Sequence, residues 1–167
     1  RAVLPDNQTD DSLTYFDLRM KAGQVQQIEV EVVNETKETM TINVESISAS
    51  TNRNGIIDYK TPDIKDKTLK IPFSEISTLE NKTLTIAPEA SAFARVTIRM
   101  PENSYEGTVL GGLLFTRPPN KAMEGSGGML IQNEYTYVLG VKLTESDKLV
   151  SPDFEIESIK AESVNYY

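Results

Sequence analysis

The chain has 167 residues, 17 of them basic and 25 acidic, for a formal net charge of −8, and it contains no cysteine, histidine or tryptophan. A disulfide framework, a thiol nucleophile and the commonest metal ligands are therefore excluded, and neither a metal nor a cofactor is expected. The acidic balance argues against nucleic acid, whose capture rests on neutralising phosphates with Lys and Arg, and against electrostatic binding to anionic surfaces.

No apolar run has the length of a membrane span, so no membrane contact is expected of this fragment. The abrupt start at Arg1-Ala2-Val3-Leu4-Pro5 reads as a mature or excised chain whose processing segments are already gone. The run Asp6 to Asp11 then forms a polar arm. Its Asn7 and Gln8 carry both donors and acceptors, suited to sugar hydroxyls and peptide amides. A solvated arm is the plainer reading.

The dominant periodicity from Tyr15 onward is two. Phe16, Leu18 and Met20 alternate with polar neighbours, as do Ile28, Val30 and Val32, and Met40, Ile42 and Val44. Ala94, Val96, Ile98 and Met100, and then Tyr135, Tyr137, Leu139, Val141 and Leu143, repeat the pattern. Each run predicts a half-buried antiparallel strand. Turn signals separate them at Ala22-Gly23, Asn34 to Lys37, Asn54-Gly55, Pro88-Glu89 and Pro101 to Ser104. The fold predicted is all-β: an immunoglobulin-like sandwich of about seven or more antiparallel strands. Ile71 to Ile76 has room for one helical turn.

Within this pattern Thr51-Asn52-Arg53-Asn54-Gly55-Ile56-Ile57-Asp58-Tyr59 carries more chemistry than a turn requires. Asn-Gly is a hairpin signal because both residues tolerate positive φ, so Asn54→Ala is expected mainly to cost stability. Asn52, Asp58 and Tyr59 are surplus hydrogen-bonding and stacking groups. Ser50-x-Asn52-x-Asn54-Gly55 echoes the start of a calcium loop, but Thr61 stands where the bidentate Glu belongs, and the hairpin reading wins.

Val109 to Phe115 is apolar on both faces, as a covered central strand would be. Gly111-Gly112 inside it predicts a bulge, with close approach of a backbone or ligand as the alternative. Tyr105-Glu106-Gly107 leads into that strand. Pro118-Pro119 and Gly125 to Gly128 bracket a loop read as a long hairpin connection. Asn-x-Ser/Thr sequons at Asn7, Asn34 and Asn81 suggest exposed loops.

After Thr144 six acidic residues stand against two lysines. Ser151-Pro152 reads as a linker, and Phe154 to Ile159 as a strand that opens a second β-domain or edges the first. The division expected is residues 1–147 as one domain and 148–167 as a linker with the start of a second.

Catalytic patterns are weak. No G-x-S-x-G elbow is present, a serine would lack a base, and Asp6, Asp10, Asp11, Asp17 and Asp58 lie in polar segments unlike a paired-carboxylate cleft. The reading is a binding protein, not an enzyme.

Taken in order, Asn7-Gln8, Tyr15-Phe16-Asp17-Leu18, Ala22-Gly23-Gln24, the strand closing on Asn34, Thr51-Asn52-x-Asn54-Gly55-x-x-x-Tyr59 and Pro101 through Tyr105-x-Gly107-x-x-x-Gly111-Gly112 resemble a known family. Over residues 3–144 the chain is similar to the peptidoglycan-binding domain of the WxL-interacting proteins of Gram-positive bacteria, with Ala22 where a proline is expected. The resemblance implies an extracellular, wall-associated module that binds peptidoglycan without catalysis. It also implies partnership with WxL-domain surface proteins, and host-protein binding through a following second domain. Asn7, Gln8, Asn52, Asn54, Asp58, Tyr59 and Tyr105 are the binding candidates chosen on their own chemistry, and Gly23, Gly55, Gly111 and Gly112 the turn or bulge positions. A protein-interaction module docking a partner by a sheet edge or loops is the alternative.

Overall fold

A computed structural model describes residues 1–52, 54–59, 68–118, 135–151, 156 and 159. In chain order its elements are β1 (Ala2–Val3), β2 (Phe16–Arg19), β3 (Val25–Asn34), β4 (Met40–Ser48), β5 (Ser50–Thr51) and β6 (Ile57–Asp58). A single helical turn, α1 (Phe73–Ile76), precedes β7 (Ser77–Leu79), β8 (Thr83–Ile86), β9 (Ala90–Arg99), β10 (Thr108–Arg117) and β11 (Tyr135–Thr144). One sheet has the order β1-β3-β9-β7, a second the order β2-β11-β10-β4-β8, and β5 and β6 form a separate hairpin. The two main sheets pack face to face as an immunoglobulin-like sandwich.

The period-two pattern explains the core. Ile28 and Val30 face Val96 and Ala94 across the first sheet, while Val44, Leu113 and Val141 supply the second, all nearly or fully buried. Polar alternates on the outer faces pair with one another, as in the 2.7 Å contact between Arg95 Nε and Glu29 Oε1. β10 lies in the middle of its sheet, between β11 and β4, as its two apolar faces predicted.

Four expectations change. The strands are not all antiparallel: β2 runs parallel to β11, with Phe16 opposite Val141. The polar arm carries the chain from the edge of one sheet to the edge of the other, so β2 is no hairpin partner and its direction is free. Gly111 and Gly112 form no bulge, because each pairs in unbroken register with β4 on one side and β11 on the other. They are needed for close approach instead. A Cβ on Gly111 would lie 2.3 Å from the ring of Phe73, a wholly buried residue of α1.

Of the Asn34 sequon, Glu35 and Thr36 lie in an exposed loop, but Asn34 itself ends β3 and is buried. Its side chain is 1% exposed, and its Nδ2 donates to the carbonyls of Glu38, Ile86 and Ala87 at 2.8, 3.1 and 2.9 Å. Tyr135 and Tyr137 share the inward face of β11 with Leu139, yet both are 67% exposed, since the facing strands no longer cover them.

The hairpin partnership of β10 with β11 extends to the pair Arg117 and Tyr135; residues 119–134 between them lie outside the described residues, as does most of the strand expected at Phe154 to Ile159, whose Ile156 and Ile159 are exposed and in no strand.

Candidate functional site

The hairpin Ser50 to Asp58 is built by Asn52. Its backbone carbonyl accepts from Gly55 N–H at 3.0 Å, and its Oδ1 accepts from the N–H groups of Asn54 and Ile56 at 2.9 and 3.1 Å. This is an Asx-stabilised turn with Asn first and Gly fourth, and Gly55 takes φ +75°. The positive φ of this turn is carried by Gly55, where a side chain would be strained. Asn54 is an exposed tip residue and Asn52 the scaffold.

Tyr59 follows the hairpin directly and lies on the outer face of the five-stranded sheet. Gly112 and Gly140 are opposite one another on β10 and β11, and both point outward, because their neighbours Gly111, Leu113, Leu139 and Val141 are buried inward. Ile47 of β4 continues the row beside Gly112. Two adjacent glycines leave a trough in the sheet surface, and the Tyr59 ring fills it. Its Cδ1 would be 3.2 Å from a Cβ at Gly112, and its hydroxyl 3.6 Å from one at Gly140. Tyr15 borders the same trough, with its Cβ 3.7 Å from the Gly140 position. Partial burial raises the Tyr59 phenol above its ordinary pKa, and the neighbouring Tyr15 adds to the shift. The Tyr59 phenol therefore stays protonated, as a hydrogen-bond donor, across the physiological range.

One step further along the face, about 7 Å by strand rise, Lys142 Nζ pairs with Asp17 Oδ2 at 3.0 Å. Asp17 is 7% exposed, and its Oδ1 has no hydrogen-bond partner among the described residues. The outer face thus assembles two tyrosines, an ammonium group and a carboxylate. Asp58 sits in the β6 rung that carries Tyr59, its carbonyl accepting from Ser50 Oγ at 3.2 Å.

The remaining candidates are held elsewhere or occupied. The Asn7 amide exchanges reciprocal bonds with Gln26 at 2.9 and 2.7 Å and also donates to the Arg19 carbonyl, which clips the two sheets together. Gln8 accepts from Asp17 N–H at 3.1 Å and donates to the Tyr15 carbonyl at 3.1 Å, acting as a surrogate edge partner for β2. Tyr105 lies beyond the Thr108 end of β10 and packs against the core. Its buried hydroxyl has no partner among the described residues, and burial, with the nearby Glu145 charge, pushes its pKa up to about 12. Glu145 accepts from Tyr105 N–H and Ser104 Oγ at 3.0 and 2.8 Å, and these bonds lower its own pKa. Of the candidates, Tyr59 lies on this face, and Asn54 and Asp58 belong to the hairpin that leads into it. Tyr15, Gly140 and Lys142 were missed, although the lone glycine in Tyr137-Val138-Leu139-Gly140-Val141 signals close approach as Gly112 does.

The sequence profile of one family, described as WxL Interacting Protein, peptidoglycan binding domain, matches residues 1–117. The chain belongs to this family. The match contains the hairpin, Tyr15, Tyr59 and Gly112 of this WxL-interacting protein domain. No curated protein is a significant sequence match. Solved structures resemble the domain at low identity. One is a PapD-like domain of human CEP192, at 8% identity and TM-score 0.45, with 78% of each chain covered. Another is the Pseudomonas aeruginosa CupB2 chaperone, at 10% and 0.44, covering 74% of this chain and 50% of that one. The class 5 fimbriae chaperone CfaA matches at 11% and 0.47, over 80% and 55%. The family description itself is that of a peptidoglycan-binding domain, which implies association with the cell-wall surface.

Proposed function

We propose that the domain binds peptidoglycan without catalysis and so attaches a surface protein complex, WxL-domain proteins among its members, to the Gram-positive wall. Membership of the peptidoglycan-binding family carries the reading. The ligand face proposed is the outer surface of the five-stranded sheet around Tyr59. Tyr15 and Tyr59 offer amphipathic rings for sugar or peptide contacts, Asn54 and Asp58 offer directional hydrogen bonds, and Lys142 faces the carboxylates of the wall peptide. Asn7, Gln8 and Asn52 hold the frame from which these groups project.

A chain of net charge −8 cannot rely on bulk attraction to an anionic polymer. Its affinity rests on short-range contacts, with modest strength per site and avidity supplied by the repeating ligand. The experiment is cosedimentation with insoluble peptidoglycan stripped of teichoic acid. The domain is expected in the pellet at both low and high salt, and wall fragments are expected to survive incubation uncut. A domain that stays in the supernatant at both salt concentrations refutes the reading.

A further inference from the structure

A cleft of about 1080 Å³ opens at the opposite end of the sandwich from Tyr105. It lies where β1 and β2, the edge strands of the two sheets, both stop short. β1 covers β3 only at Glu29 and Val30, and β2 covers β11 only from Val141 to Thr144. Leu139, Phe115, Ile42 and Val32 reach the cleft from both sheets, and the exposed Tyr135 and Tyr137 stand at its mouth.

The backbone of β11 states what fits. Met20 N–H donates to the Thr144 carbonyl at 3.0 Å, so even-numbered residues of β11 direct their N–H and C=O toward the β2 side. Thr136 and Val138 therefore present a donor and an acceptor each to an open edge, with no strand partner among the described residues. Open edges are normally blunted by lysine, proline or a bulge. Residues Tyr135 to Val141 carry no charge and no proline and pair with β10 in unbroken register. Lys142 appears only where β2 begins to cover the strand.

The charge at the cleft mouth is one-sided on this sheet. Arg117 shares the inward face of β10 with Phe115 and Leu113, stands opposite Tyr135, and has no ion-pair partner among the described residues. Glu31 lies across the opening on β3, beside Arg1.

We propose that this cleft receives an extended peptide segment of a partner protein as an added strand on β11. Its apolar residues, at alternate positions, enter the cleft, and an acidic flank meets Arg117. Strand addition takes its affinity from main-chain bonds and its specificity from alternate side chains, and the cleft supplies both. The proposal is independent of the peptidoglycan face, which lies on the outer side of the same sheet.

The probe is a synthetic peptide of about six residues, alternating valine and threonine with two aspartates at one end. A peptide of identical composition with contiguous valines is the control. Binding is read by amide hydrogen exchange and chemical-shift titration of the whole chain. The alternating peptide should protect the Thr136 and Val138 amides, and the control should not. Thr136→Pro removes one outward donor without touching the β10 ladder and should weaken binding at least about tenfold, roughly one lost hydrogen bond. Tyr137→Glu, at a largely exposed position, should weaken binding without unfolding the domain, and Arg117→Glu should abolish the preference for an acidic flank. Cosedimentation with peptidoglycan should be unchanged in all three. The proposal is overturned by absence of saturable binding at about 1 mM, by equal binding of the control peptide, by undiminished binding to both Thr136→Pro and Tyr137→Glu, or by soluble wall fragments displacing the peptide from the cleft.

Discussion

Asn52 and Asn54 are two residues apart, chemically identical, and unequal in the fold. Asn52 Oδ1 accepts two backbone N–H groups, while Asn54 offers its side chain to solvent. Asn52→Ala should therefore cost about 1–2 kcal/mol, by analogy with loss of a capping side chain, and Asn54→Ala less than about 0.5 kcal/mol. Urea unfolding of the two variants checks the ranking, and a larger loss at Asn54 contradicts it. The amide count of this segment was legible in the sequence. The division of labour was not, because it depends on which amide turns back onto the backbone. Tyr105 gives a second case. Its hydroxyl is buried without a partner among the described residues, so Tyr105→Phe should leave stability unchanged or raised. Its pKa is raised from 10.0 to about 12. Folding thus favours the protonated phenol, and that contribution is complete below pH 10 and is lost as pH rises toward 12. Melting temperatures across that window should fall more steeply for the natural chain than for Tyr105→Phe, and identical slopes would rule out the assignment.

At the scale of elements, α1 and β10 are fitted to one another through Phe73 and Gly111. A methyl group at Gly111 would sit 2.3 Å from the Phe73 ring, too near for any rotamer adjustment to absorb. Gly111→Ala should destabilise by several kcal/mol, in the range of severe overpacking. Phe73→Ala alone should cost about 3–5 kcal/mol through its cavity. The double variant should be less damaged than the sum of the two, since each relieves part of the other's defect. Additive losses in a double-mutant cycle would show that the two positions do not share the space. The helical turn at Ile71 to Ile76 and the strand at Val109 to Phe115 were both readable from local pattern. Their contact was hidden because glycine signals only that something approaches, and a bulge satisfies that signal as well as an aromatic ring. The parallel pairing of β2 was equally hidden, since period-two alternation fixes which face is buried and leaves strand direction open.

For the whole molecule, the same sheet carries different chemistry on its two sides. Its inner face closes the core except at the cleft beside Tyr137, and its outer face holds the glycine trough under Tyr59. The chain leaves the sheets at Thr144 but stays on the surface a little longer, with Asp147 paired to Arg19, Lys148 to Glu106, and Val150 beside Gly107. We place the proposed division into domains at residues 147–148 as the end of the sandwich, with this short stretch lying against it. The fold class and the family were legible because alternation and motif order survive without coordinates. The ligand face was legible only in part, because Tyr15, Gly140 and Lys142 join Tyr59 through register between strands far apart in sequence. A titration of the isotope-labelled chain with a soluble muropeptide, read by amide chemical shifts, tests that face most directly. The account predicts saturable shifts clustered at Tyr15, Tyr59, Gly112, Gly140 and Lys142, and their loss in a folded Tyr59→Ala variant; shifts confined to the Tyr105 end or the cleft, or a Tyr59→Ala chain that binds undiminished, would contradict it.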